Sequence, residues 1–193
     1  DSLNTLGISD GTNGTIGLAS NYTLDSGSFD ITTKPITLSG SRQYDGTTDV
    51  ASSDLTLIGQ VSGESISITG TGSVTDKNVG AGKTINTTGL SLADNTSNAS
   101  NYSLSTGTFT INNKILSISG TRAYDGSTTV SSGNISLNGF IGSETLNKSG
   151  SVSTSSSNAS IYGSALINAS ALSLSDGSNG CLLYTSPSPR DPT

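Results

Sequence analysis

The feature that most constrains the fold of this chain is an internal repeat with a period of 80 residues. The motif Asn21-Tyr22-Thr23-Leu24 recurs as Asn101-Tyr102-Ser103-Leu104, and Tyr44-Asp45-Gly46 recurs as Tyr124-Asp125-Gly126. A period of this length exceeds the roughly 20–50 residues of a solenoid coil, and it is long enough for a small domain with its own core. The sequence therefore predicts small domains joined end to end.

The repeat divides the chain into four parts. Residues 1–34 are predicted to be the C-terminal end of a first copy, and residues 35–114 a complete copy. Residues 115–180 are predicted to be a third copy that is truncated, and residues 181–193 a non-native tail.

The tail prediction depends on the string CLLYTSPSPRD from Cys181 to Asp191. This string resembles a translated sequencing adapter, and it interrupts the third copy shortly before an Asn-Tyr-x-Leu motif is due. A natural proline-rich linker is the alternative. The tail, which contains the only cysteine of the chain, is therefore not expected to be part of the fold.

Short segments of the complete copy alternate apolar and polar residues, as strands with one buried face do. The alternating pairs are Ile36 with Leu38, Leu55 with Leu57, Ile66 with Ile68, Leu90 with Leu92, Tyr102 with Leu104, and Phe109 with Ile111. This pattern predicts six or seven strands of about five residues. We expect an all-β fold of tandem, small, antiparallel β-sandwich (Ig-like) repeats of about 80 residues, with little or no helix. Disorder is the alternative for so polar a chain, but the orderly alternation of apolar residues argues against it.

The Tyr-Asp-Gly motifs are predicted to form turns after a strand. Asp accepts backbone hydrogen bonds and Gly adopts a positive φ without strain, while the preceding tyrosine is expected to be a half-buried anchor. A metal-binding or catalytic role for Asp45 is the weaker alternative. The structural motif residues are Tyr44, Asp45, Gly46, Tyr124, Asp125, Gly126, Asn21, Tyr22, Asn101 and Tyr102.

Composition excludes several classes of function. The net charge is −6 and the isoelectric point is near 4.3, so we expect neither nucleic-acid binding nor attraction to an anionic membrane. There is no apolar run long enough to span a bilayer, so no membrane insertion is expected. Histidine is absent, which removes the commonest general base. We therefore predict no enzymatic activity and no catalytic, cofactor-binding or metal-binding residues.

One segment superficially suggests nucleotide binding. Gly80-Ala81-Gly82-Lys83-Thr84 looks like the end of a phosphate-binding loop, but Lys77 stands where the motif needs its first glycine. No helix start follows, so a glycine-rich hairpin loop is the better interpretation.

Taken together, the motifs resemble the YDG-type repeat of large secreted bacterial proteins similar to filamentous haemagglutinins. The resemblance rests on Tyr-Asp-Gly-Thr-Thr after a strand, on the segment Asp76 to Thr84, on Asn-Tyr-x-Leu, and on a closing Thr-Phe-Thr-Ile-x-x-Lys. It covers nearly all of residues 1–180. In the third copy, Ser155 to Ser160 replaces Asp-Lys-Asn-Val-Gly. The resemblance implies a secreted or cell-surface location, a secretion partner, adhesion and no catalytic residues.

These observations leave three functional hypotheses. The first is a non-catalytic stalk segment of a secreted or cell-surface bacterial adhesin. The second is that the repeats themselves bind a glycan or protein of a host or neighbouring cell, which an exposed cluster of Tyr22, Tyr44 or Phe140 would favour. The third is a structural spacer of a surface layer.

Overall fold

The computed structural model describes residues 8–11 and 18–177, which fall into two compact units. The first unit comprises residues 1–33. Its described residues contain one 3₁₀ helix, Ala19–Asn21, and no strand. The second unit begins at Lys34 and holds the complete repeat together with the third repeat. The tail prediction for Cys181 to Asp191 lies outside the described residues.

The complete repeat has eight strands, where the alternation of apolar residues predicted six or seven. They are β1 (Lys34–Gln43), β2 (Asp49–Ala51), β3 (Leu55–Ile58), β4 (Ile66–Ser73), β5 (Gly80–Thr84), β6 (Leu90–Asp94), β7 (Tyr102–Leu104) and β8 (Thr108–Asn112). Two 3₁₀ helices, Ser52–Asp54 and Ala99–Asn101, precede β3 and β7. The extra strands, β2 and β5, are short or rich in glycine, so they carry little alternation.

Two sheets make up the complete repeat. One has the order β3-β1-β8-β5, with β7 also paired to β1, and the other has the order β2-β4-β6. The expectation of antiparallel pairing holds except at β1, which pairs in parallel with β7 along its first residues and with β8 along its last. Alternation identifies the buried face of a strand but carries no information on the direction of its neighbour, so the sequence did not predict this.

The core of the complete repeat takes side chains from both sheets. Leu38 on β1 and Phe109 and Ile111 on β8 pack with Val50 on β2 and Leu90 on β6. The buried set also contains Val74 and Ile85, which lie between strands. A second buried cluster consists of Ile36, Ile66 and Tyr102.

The third repeat has six strands among the described residues. They are β9 (Ser117–Gly120), β10 (Thr129–Ser131), β11 (Ile135–Asn138), β12 (Leu146–Thr154), β13 (Ile167–Asn168) and β14 (Leu172–Asp176), with 3₁₀ helices at Ser132–Asn134 and Ser164–Leu166. Strand β9 pairs with β11, and β12 pairs with β10, β13 and β14. Each of these strands corresponds to a segment of the complete repeat.

Within the described residues, the third repeat has no counterparts of β5, β7 and β8. The corresponding core positions are consequently more open. Leu38 and Val50 are 2% and 0% exposed, whereas Ile118 and Val130 are only half-buried.

The expectation of an all-β chain with little helix is confirmed for the described residues. Their only helical elements are five 3₁₀ helices of three residues each.

Candidate functional site

The Tyr-Asp-Gly turn after β1 is organised by a single carboxylate oxygen. Asp45 Oδ1 accepts hydrogen bonds from the backbone N–H and the Oγ1 hydroxyl of Thr47, both at 2.9 Å. It also accepts one from the Arg42 guanidinium. Arg42 donates further to the carbonyls of Thr47 and Asp49, at 2.7 and 3.2 Å. The motif is thus a turn locked by an ion pair, and Gly46 completes it with a φ of 82°.

The third repeat builds the same turn. Asp125 pairs with Arg122 and accepts the backbone N–H of Ser127 at 2.9 Å, and Gly126 has a φ of 75°. Sequence reasoning did not assign a role to either arginine. The signal was present, because an arginine precedes the aspartate by three residues in both copies.

These contacts stabilise the ionised form of each aspartate. Partial burial by itself would raise the pKa of Asp45, but the hydrogen bonds from Thr47 and the charge of Arg42 lower the pKa on balance. At Asp125, the hydrogen bond from Arg122 and that from the Ser127 N–H lower the pKa. The turn aspartates therefore act as structural acceptors, and the alternative of a catalytic acid is not favoured.

A second feature joins the complete repeat to the third repeat. Tyr44 Oη donates to Glu144 Oε1 at 2.5 Å, and Lys77 Nζ lies 3.6 Å from the same oxygen. Beside this contact, the Ile141 side chain packs against Gly46. A Cβ added to Gly46 would lie 2.9 Å from Ile141 Cγ2. We call these five residues the repeat junction.

The repeat junction shifts the titration of Tyr44. Burial raises the pKa of the phenol, and the hydrogen bond to Glu144 and the negative charge of that carboxylate raise it further. The phenol therefore stays protonated and serves as a hydrogen-bond donor. The prediction of a half-buried tyrosine anchor fits Tyr44, whose partner is a residue 100 positions away.

The same prediction is wrong for Tyr124, which is 69% exposed. In the complete repeat, the Tyr44 backbone N–H donates to Asn112 O at the end of β8, and the phenol reaches the following repeat. Among the described residues, the third repeat has no counterpart of β8, so nothing described there takes the place that Asn112 has beside Tyr44.

The Asn-Tyr-x-Leu motifs form the same local structure in different surroundings. Asn101 and Asn21 each end a 3₁₀ helix, and their N–H groups donate to Asn98 O and Leu18 O at 3.3 and 3.0 Å. The tyrosine that follows is buried at Tyr102 but exposed at Tyr22. Local sequence sets the turn, and burial of the tyrosine requires the rest of a repeat.

Tyr102 makes a contact that parallels the repeat junction. Its hydroxyl donates to Glu64 Oε2 and accepts the Val61 N–H at 3.1 Å. Glu64 and Glu144 are counterparts in the repeat. Glu64 accepts the hydroxyl of a tyrosine in its own repeat, on Oε2. Glu144 accepts the hydroxyl of a tyrosine in the preceding repeat, on Oε1. The 80-residue period of the sequence relates the two glutamates, but no sequence pattern connects them to the tyrosines.

The glycine-rich segment is a strand, so the interpretation of it as a hairpin loop is wrong, and it is not a phosphate loop either. Gly80–Thr84 forms β5 and pairs with β8. Lys83 Nζ lies 2.7 Å from Asp76 Oδ1, which also accepts the Asn78 N–H at 2.9 Å. This lysine is therefore engaged in holding its own loop closed.

Within residues 8–11 and 18–177, no group of three or more side chains of the kinds that ligate metals occurs. The same stretches contain no helix long and apolar enough to cross a membrane. Tyr44 and Phe140 are both half-buried, so the two do not offer an exposed aromatic surface.

An apolar cleft of about 540 Å³ opens in the third repeat. Its lining includes Ile118, Val130, Ile135, Val152 and Ile167, which come from β9, β10, β11, β12 and β13. Ile118 and Val130 are the counterparts of Leu38 and Val50, which belong to the same buried cluster as Phe109 and Ile111 of β8.

The fold and the repeat junction define an all-β protein built from tandem repeats that contact one another through paired side chains. Comparison with known families identifies the repeat: residues 30–111 match the YDG domain. The searches of curated proteins and of solved structures gave no match. The predicted YDG-type repeat is thus confirmed for residues 30–111.

Proposed function

We propose that this chain is a non-catalytic stalk segment of a secreted or cell-surface bacterial adhesin, in which each repeat is an Ig-like β-sandwich. The observation that carries the proposal is the repeat junction, because a stalk needs defined contacts between successive domains. The YDG domain and the acidic, histidine-free composition are consistent with it.

The sandwich part of the proposal is supported by the core of the complete repeat. Its buried side chains come from both the β3-β1-β8-β5 sheet and the β2-β4-β6 sheet, as in two sheets packed face to face. Leu38 contributes a buried side chain from β1 of the first sheet, and Val50 contributes one from β2 of the second sheet.

A stiff connection between repeats is supported by two observations. Strand β8 ends at Asn112 and β9 begins at Ser117, so only four residues connect them. The Tyr44 and Lys77 side chains then hold Glu144 of the next repeat. A short connection and a shared contact both restrict rotation of one domain against the other.

The strand directions favour extension along a line. The chain enters the complete repeat at Lys34, and it leaves at Asn112, which lies opposite Gln43 at the other end of β1. Because β1 and β8 are parallel, these two points are separated by the length of β1, about 30 Å for ten residues at roughly 3.3 Å each. Repeats connected in this way extend the chain with each copy.

A bead assay distinguishes a stalk segment from repeats that themselves bind a glycan or protein. Beads coated with the full chain are incubated with host cells and with glycan arrays. If the chain is a stalk segment, the beads are expected to bind neither, at any coating density. Saturable binding that a soluble chain competes away would overturn the stalk assignment in favour of binding by the repeats.

Location is tested on the cells that produce the protein. Antibodies against residues 34–177 are expected to label intact cells, and brief protease treatment of those cells is expected to remove the label. Labelling only after permeabilisation would contradict a surface or secreted location.

A further inference from the structure

We propose that Lys77 makes the repeat junction selective for charge. A repeat with lysine at this position favours a following domain that presents a carboxylate, as the third repeat does with Glu144. Selection of this kind rests on the proposed stalk function, because it determines which repeats can follow one another in a stiff array.

The partner side of the repeat junction is a four-residue turn. The Glu144 N–H donates to Ile141 O at 3.1 Å, so one turn carries both the carboxylate and the apolar side chain that packs against Gly46. The complete repeat has the same turn, in which the Glu64 N–H donates to Val61 O at 3.0 Å. The partner is thus defined as a turn with an apolar first residue and an acidic fourth residue.

The two side chains that contact Glu144 contribute in different ways. The Tyr44 hydroxyl donates to Glu144 Oε1 at 2.5 Å, and a hydroxyl can donate equally to a carboxylate or to a neutral amide oxygen. The Lys77 ammonium carries a full charge and lies 3.6 Å from the same oxygen. Its attraction is lost when the partner is neutral. Tyr44 therefore positions the turn, and Lys77 determines which charge the turn must carry.

Partial burial makes this charge matter. The Glu144 side chain is 17% exposed and the Lys77 side chain is 35% exposed. A carboxylate that is largely shielded from water depends on a charged partner more than an exposed one does. A neutral side chain at residue 144 would leave the lysine without this attraction.

The loop that carries Lys77 is held on both sides of the lysine. Asp76 Oδ1 accepts the Asn78 N–H at 2.9 Å and lies 2.7 Å from Lys83 Nζ. These contacts fix the backbone immediately before and after Lys77. Less conformational freedom is then lost when the lysine meets Glu144.

The third repeat separates the lysine from the structure of its loop. Ser157 is the counterpart of Lys77, and Ser156 is the counterpart of Asp76. A side-chain oxygen still closes this loop, because the Asn158 N–H donates to Ser156 Oγ at 3.2 Å. The loop therefore forms without a lysine, which leaves the contact across the repeat junction as the role of Lys77. A repeat with serine at this position is expected to accept acidic and neutral partners alike.

The test is single-molecule fluorescence energy transfer in the full 193-residue chain. Dyes are attached through Ser91→Cys on β6 and Ser173→Cys on β14, both exposed positions, and Cys181→Ser removes the native thiol. The transfer efficiency distinguishes molecules whose repeats are in contact at the repeat junction from molecules whose repeats are separated. Most molecules of the unmodified protein are expected to show the single transfer value of the contact state.

Two substitutions remove the charge from either side of the repeat junction. Lys77→Ser copies the third repeat, and Glu144→Gln keeps an acceptor for the Tyr44 hydroxyl. Each is expected to shift the ratio of contact to separated molecules about two- to fivefold towards separated, which is the contribution of a partly exposed ion pair. The double variant should lose no more than either single variant, because each change alone removes the whole charge interaction. Added salt should shift the unmodified protein in the same direction and have little effect on Lys77→Ser.

The matched control is Lys34→Ser, the same substitution at an exposed lysine at the other end of β1, which should leave the ratio unchanged. An unchanged ratio in Lys77→Ser would overturn charge selection and leave the stalk proposal standing. A full further loss when Glu144→Gln is added to Lys77→Ser would do the same. A broad range of transfer values in the unmodified protein would overturn both proposals.

Discussion

Asp45 shows how one residue determines the structure of a motif that the sequence only outlines. Its side chain holds the turn through Thr47, and it also fixes Arg42 beneath the turn. The Asp-Gly dipeptide predicted a turn with a positive φ at Gly46, and this is observed. The arginine was not predicted, because a charged residue on a strand is ordinarily a solvated one.

The lowered pKa of Asp45 and Asp125 predicts acid destabilisation. A carboxylate whose folded pKa is below its ordinary value of 3.8 stabilises the fold fully above that value. The contribution is then lost as the pH falls through the folded pKa. We expect the free energy of unfolding, measured by urea titration, to decrease as the pH falls below about 4. Asp45→Asn should reduce that decrease.

The control for the acid prediction is Asp30→Asn, which removes one negative charge outside the turn. It should leave the pH dependence of unfolding as it is in the unmodified chain. An equal effect of Asp30→Asn and Asp45→Asn would show that net charge, and not the turn, causes the acid sensitivity.

The contact between Tyr44 and Glu144 predicts a difference between two equivalent tyrosines. Tyr44→Phe removes a hydrogen bond to a carboxylate that is mostly shielded from solvent, so it should cost about 1 kcal/mol of unfolding free energy. Tyr124→Phe removes a largely exposed hydroxyl and should be close to neutral. Urea denaturation of the two variants makes the comparison, and equal losses would contradict the assigned role of Tyr44.

At the scale of strands, the sequence predicted which face of a strand is buried better than it predicted which strands pair with each other. Alternation identified the inward positions Ile36, Leu38, Phe109 and Ile111, and all four are buried. It did not identify Val50, because a strand of three residues is too short to show a period. The parallel pairing of β1 with β8 joins residues nearly seventy positions apart, and no local pattern encodes such a contact.

Phe109 and Phe29 are counterparts in the repeat, so the same substitution can be measured in two environments. Phe109→Ala leaves a cavity in the core, so it should cost about 3–5 kcal/mol of unfolding free energy. Phe29→Ala changes an exposed side chain and should cost almost nothing in dilute solution. Thermal unfolding at low protein concentration measures both. A large loss from Phe29→Ala would mean that its side chain is buried in the free chain.

At the scale of the whole molecule, the two described repeats differ in completeness. The complete repeat has a core of seven buried residues, Leu38 among them, whereas Ile135 and Val152 are the buried hydrophobic residues in the described part of the third repeat. Stability follows the buried apolar area, so the two repeats should not be equally stable. The sequence predicted a shortened third repeat, but it could not show where the core would open.

This difference predicts separate protection of the two repeats in hydrogen exchange. Amides of β1 and β8 should exchange slowly, through opening of the whole complete repeat. Amides of β9 and β10 should exchange faster, because their core is open on one side. Mass spectrometry of peptides from a dilute sample measures both groups. Equal protection would indicate that the third repeat is closed in solution.

The parallel pairing of β1 with β8 also determines how the complete repeat responds to tension. A force that pulls on the chain at its two ends acts on β1 at Lys34 and on β8 at Asn112. The two adjacent strands are then dragged past each other in opposite directions along their length. Five paired positions, from Ser39 with Thr108 to Gln43 with Asn112, share this load at once. An antiparallel pair loaded at one end would open its bonds one after another, so the parallel pair makes the repeat a shear clamp that resists extension.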